Sequence, residues 1–278
     1  MNRVDCLLLL LLLAMSLNKT TFGKVYRHDI HSKLLKHHRI WRGMSSNTGN
    51  NYGGWLLYIK NNNDASIVCG ASYYSPLLVI TSANCIHPYT YDTNMSVEPT
   101  ARSKNSEDYF SLIDTIYFPP GFKYLDQYMD IALVRLVKPI KGKLLEFISL
   151  CDRPLPDNTK LMSVGWGFDS MDVQPMSLEP TNSSVIVQNL KQCLATYTNS
   201  ISSGTIFCAT QPPDKRNCRY DGGCPVVYKN KLCGIVSWGP LCRDTRYPSL
   251  YTNITIMRSW IKDIEGKVLS REQVKRRN

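Results

Sequence analysis

Covalent hydrolysis by a side chain takes a nucleophile, a base to receive its proton and a group that orients the base. Bases are scarce in this chain. Of its five histidines, His28, His31, His37 and His38 all precede Ile40, and His87 is the one that follows. Sulfur is plentiful, with ten cysteines. Cys224 stands in the run Cys218-Arg219-Tyr220-Asp221-Gly222-Gly223-Cys224-Pro225. As a nucleophile it would need a base beside it, because an unassisted thiol stays mostly protonated at neutral pH. The alternative is a small buried cysteine that packs as a hydrophobe.

The Cys218–Pro225 run resembles the nucleophile segment of the trypsin-like, chymotrypsin-fold serine proteases, Cys-x-Gly-Asp-Ser-Gly-Gly-Pro. The serine falls on Gly222, which has no side chain. Ile80-Thr81-Ser82-Ala83-Asn84-Cys85 resembles the family's Thr-Ala-Ala-His-Cys segment, with Asn84 in the place of the general base. Asp130, in Asp130-Ile131-Ala132-Leu133, matches the carboxylate that holds the base. An amide does not accept and return a proton near neutral pH, and Gly222 offers nothing to attack with. Loss of nucleophile or base in such a triad costs on the order of 10⁶ in turnover. Tyr220 replaces the glycine whose N–H would complete the oxyanion hole, so the resemblance implies a damaged hole as well. His87, three residues past Asn84, would serve as base only if the local turn were remodelled.

The resemblance extends to other parts of the machine. Arg39 and Ile40, in Arg39-Ile40-Trp41-Arg42-Gly43, match the activation site, and Asp221 matches the carboxylate that receives the new N-terminal amine. Trp41 and Arg42 are bulkier than the family's Val-Gly. Arg216 stands where trypsins carry an acidic residue at the pocket base, and Ser249 replaces a glycine of the pocket wall. A positive, narrowed pocket would reject Lys and Arg. Ser237-Trp238-Gly239 matches the segment that pairs with extended peptides, so strand addition without cleavage is open to this chain. The family's pairs imply bridges Cys69–Cys85, Cys193–Cys208 and Cys218–Cys242. Cys151, Cys224 and Cys233 remain; a Cys151–Cys233 bridge would leave Cys224 over, and the other pairings stay open.

The elements that must position these residues read as many short strands. Apolar and β-branched runs at Gly54–Ile59, Leu77–Thr81, Asp130–Leu136, Leu161–Gly167, Val185–Val187, Pro225–Tyr228 and Leu232–Gly239 are separated by turns. That spacing argues for barrels or sandwiches. Lys229-Asn230 reads as a hairpin turn. Met257, Trp260, Ile261, Ile264 and Val268 fall at helical spacing. The resemblance implies an all-β fold, two antiparallel six-stranded barrels closed by a C-terminal helix.

The compartment is legible at the N-terminus. Met1-Asn2-Arg3 is basic and Leu7–Leu13 is an unbroken apolar run, too short for the ~20 residues of a membrane span. Residues 1–23 therefore read as a signal peptide, with cleavage after Gly23 or after Ser16. Ten cysteines suit an oxidising compartment; loss of Cys6 with the signal leaves an odd number, so at least one thiol is left over or pairs between chains. Residues 24–39 form a short basic propeptide, 40–266 the trypsin-like domain and 267–278 a basic tail. The sequons at Asn94 and Asn182 lie in polar, loop-like stretches; that at Asn253 stands where the final helix begins. The net charge of +11 fits a glycosaminoglycan or anionic surface, or simply solvated tails. Nothing in the pattern calls for nucleic acid, a metal or a cofactor. The expectation is a secreted, insect-type, catalytically inactive homologue that binds extracellular proteins, active serine proteases or their inhibitors among them.

Overall fold

The computed structural model describes residues 53–100, 109–142, 145–165, 180–197, 201, 203–210, 222–238 and 247–275. The signal peptide, the propeptide with Arg39 and Ile40, the residues Arg216, Cys218, Tyr220, Asp221, Gly239 and Cys242, and the last three residues of the basic tail lie outside them.

The first barrel is closed in the order β1-β2-β3-β6-β5-β4, from β1 (Leu56–Asn61), β2 (Ile67–Ser75), β3 (Leu78–Thr81), β4 (Met95–Pro99), β5 (Ser111–Tyr117) and β6 (Ala132–Leu136). The second contains β8 (Lys160–Gly165), β9 (Thr181–Gln188), β10 (Ile206–Thr210), β11 (Pro225–Tyr228), β12 (Lys231–Trp238) and β13 (Ser249–Asn253). Its sheet runs β11-β8-β9-β10-β13-β12 and closes through β11–β12, with β7 (Ser149–Leu150) added parallel to β12. Closure leaves no long open edge. The expected pair of six-stranded barrels is thus present.

Apolar side chains of alternate strand positions fill both barrels. Leu57, Ile59, Ala71, Val79, Val97 and Leu133 are fully buried in the first, and Val164, Val185, Cys208, Val226 and Ile235 in the second. Lys229 and Asn230 take φ of 48° and 60° between the paired Tyr228 and Lys231. Positive φ at both central residues is the geometry of the hairpin turn whose twist suits antiparallel strands.

Two short helices, α1 (Ala83–Ile86) and α2 (Leu190–Thr196), precede the long α3 (Ile254–Lys275). Asn253 starts α3 by accepting from the Thr255 N–H at 3.0 Å. Met257, Ile261, Ile264 and Val268 are buried, and Trp260 packs partly against the same core. The helix passes residue 266, where the sequence reading divides domain from tail, and runs on to Lys275. Glu272 explains part of this length: it pairs with Arg135 of β6 at 2.5 Å, while Asp114 of β5 holds the same guanidinium at 2.7 Å. Arg258 donates to the Cys151 carbonyl at 3.2 Å. The helix therefore holds both the first barrel and the linker that leaves it.

Disulfides join Cys69 to Cys85, Cys193 to Cys208 and Cys151 to Cys233. The last ties the inter-barrel linker to β12, leaving the buried Cys224 outside all three. Asn94 is exposed on a turn. Asn182 is exposed too, but it belongs to β9, opposite Val164 of β8, rather than to a loop.

Candidate active site

Ser82 caps α1, its hydroxyl accepting from the Cys85 N–H at 3.2 Å. The cap makes a tight turn directly after β3 and sets Asn84 at the barrel junction, 2 % exposed. Asp130 sits just before β6, with no exposed surface. Its Oδ1 accepts from the Ser82 hydroxyl and the Asn84 N–H, both at 2.7 Å. Its Oδ2 accepts from the Ser237 hydroxyl of β12 at 2.5 Å, and its carbonyl from Thr252 of β13 at 2.7 Å. One aspartate thus joins the two barrels. Burial pushes its carboxyl above the usual carboxylate range, and the Asn84, Ser237 and Ser82 donors pull it back. Ser82 and Ser237 are the site residues the sequence reading assigned no such role. Their hydroxyls carry no local signature, and the contacts cross 48 and 107 residues of chain.

The Asn84 side chain is turned to a different task. Its Nδ2 donates to the Asp126 carbonyl and its Oδ1 accepts from the Leu125 N–H, each at 2.6 Å. Both ends of the amide are spent on the backbone of one loop. His87 offers no substitute base: it stacks on Tyr124 with ring centres 4.5 Å apart and packs beside Phe118 and Phe122 at 5.7 and 5.8 Å. Burial there lowers its pKa.

The Gly222 turn docks against the first barrel. Its carbonyl accepts from the Gly70 N–H at 3.1 Å, and the Gly223 N–H donates to Val236 at 2.9 Å. Gly223 has φ +83°, and a Cβ there would overlap Thr81 Oγ1 and the Gly70 carbonyl. Cys224 lies with its sulfur against the Cα of Gly70, fully buried. That placement suits the packing reading of the thiol. In the second barrel, Ser249 is partly buried and hydrogen-bonds the buried Tyr251, whose phenol burial pushes strongly upward.

Chemically, this is a buried carboxylate that accepts from hydroxyl and backbone donors, beside an amide that holds a loop and a glycine turn docked on the first barrel. Among the described residues, no group of three or more His, Cys, Asp or Glu is placed to hold a metal ion.

Known proteins of the same design were found by three routes. The sequence profile of the trypsin family matches residues 40–261. Seminase of Drosophila melanogaster is 30 % identical over 222 residues, 80 % of each chain. A trypsin of Sarcophaga bullata is 30 % identical over 201 residues, covering 70 % of this chain and 77 % of its own. Neuropsin, a serine protease expressed in the limbic system of mouse brain, superposes with a TM-score of 0.67 at 21 % identity, over 81 % of this chain and 98 % of its own. With the profile spanning most of the sequence and both barrels in place, the chain belongs to the trypsin-like family of serine proteases.

Proposed function

We propose that this chain is a non-catalytic member of its family, exported from the cell, that acts by binding other extracellular proteins such as active serine proteases or their inhibitors. The observation that carries the reading is position 84. The residue in the base's place is an amide whose two polar atoms are both held by the Leu125–Asp126 backbone. Glycine at position 222 removes the nucleophile independently. Export is supported by the apolar run at Leu7–Leu13 and by the three disulfides. No helix among the described residues is long and apolar enough to cross a membrane.

The test is direct. Protein cleaved after Arg39 is expected to hydrolyse no peptide ester above background and to take up no serine-directed phosphonate. Activity that survives purification and vanishes on Asp130→Ala would establish instead a weakly active endopeptidase, a reading favoured by the retained Asp130 and by relatives named as proteases. A basic surface is a further possibility for binding: heparin retention that disappears on removal of residues 275–278 would assign it to the tail. Lys262 and Lys267 of α3 are partly neutralised by Glu265 and Asp263, at 2.8 and 2.6 Å.

A further inference from the structure

We propose that Asn84 is a positioning residue: it holds the strained segment from Pro119 to Met129 in one conformation.

The segment is built as a compact loop whose ends meet. Phe122 N–H donates to the Pro119 carbonyl and Asp126 N–H to the Lys123 carbonyl, both at 3.0 Å. The Met129 sulfur and the Tyr128 ring lie over Gly121, so tightly that a Cβ at Gly121 would come within 2.8 and 3.3 Å of them. Loops of this kind, packed on their own side chains, commonly carry function.

The loop's backbone is not relaxed. Leu125 has φ +70° and Met129 φ +55°, the left-handed region that an ordinary side chain enters only at a cost. Such conformations persist only where the surroundings over-determine them. Two anchors do so here. Asn84 accepts from Leu125 itself and donates to the next carbonyl, both at 2.6 Å. Thr205, just before β10, accepts from the Met129 N–H at 2.8 Å. The first anchor belongs to the first barrel and the second to the other, so the loop spans the junction.

Asparagine suits this duty as histidine does not. Its amide presents one donor and one acceptor on adjacent atoms, matching the carbonyl and N–H of consecutive residues. The loop meanwhile exposes Lys123 and Leu125. The dependence of the loop on Asn84 rests on the geometry alone.

Hydrogen exchange on the full chain tests the dependence. In Asn84→Ala the Leu125 amide is expected to exchange about tenfold faster or more, as befits the loss of two partly buried hydrogen bonds, while β6 keeps its protection. Asn84→Asp retains an acceptor for Leu125 and loses the donor toward Asp126, so it should fall between Ala and the parent. Trypsin nicking after Lys123 should accelerate in the same order. Unchanged exchange at Leu125, or equal losses in the loop and in β6, would overturn the proposal. Should Asn84→Ala fail to fold, an Asn84→Asp chain nicked no faster than the parent would overturn it alone. Peptide-ester hydrolysis, measured separately, reports on the non-catalytic reading and not on the loop.

Discussion

The two halves of the site hold their shape by opposite means. Around Asp130 the work is done by side chains: two hydroxyls and a backbone N–H converge on one buried carboxylate. Around Gly223 it is done by the absence of a side chain, which lets the turn lie against Gly70 and Thr81. The first arrangement is a hub that joins the barrels. The second is a close approach that restricts which residues can follow position 222. Each half should therefore fail in its own way.

The largest effect is expected from Asp130→Ala. It strands two buried hydroxyls and an N–H, and it should destabilise by about 4 kcal/mol, read from the urea midpoint. A loss under ~1 kcal/mol would show that the hub is dispensable. Gly223→Ala comes next. The left-handed φ and the overlap with Thr81 and Gly70 together should cost about 3 kcal/mol; near-parent stability would mean that the turn can move away from the first barrel.

The third prediction concerns chemistry. Restoring Asn84→His with Gly222→Ser should give only weak hydrolysis, because Tyr220 and Arg216 stay in place and histidine also forfeits both loop contacts. Adding Tyr220→Gly should raise the rate further by about 10²-fold, the scale of one oxyanion donor. Robust turnover in the double variant would show that the hole is intact with Tyr220 in place.

The smallest effect concerns His87. Its pKa lies below the ordinary histidine value because burial disfavours the charged form. The folded state then binds the proton less readily than the unfolded one. Its contribution to stability is whole above the unfolded value near 6.5 and is lost as pH falls through the folded value. A parent that loses stability between pH 7 and pH 5 by more than His87→Phe does is the expected result; parallel curves would contradict it.

Local features were readable in the sequence wherever neighbours along the chain supply the physics. The apolar stripe Met257–Val268 is a helix face, and Lys229-Asn230 is a turn, because periodicity and turn chemistry act over a few residues. The pairs Cys69–Cys85 and Cys193–Cys208 came instead from the resemblance to the family's pattern of bridges. At 84 and 222 the resemblance to the family's motifs sets an amide and a glycine where the pattern has a base and a nucleophile, which is an expectation about chemistry.

What Asn84 does in their place was decided by tertiary structure. Its partners lie 41 and 42 residues away in a loop of mostly polar and aromatic residues without periodic signal. Likewise Ser237 becomes a donor to Asp130 only because β12 and the start of β6 meet between two closed barrels. Sequence determined which groups were present and which elements carried them. Only closure of the barrels decided which donor faced which acceptor, because a hydrogen bond depends on distances of a few tenths of an ångström that no local pattern records.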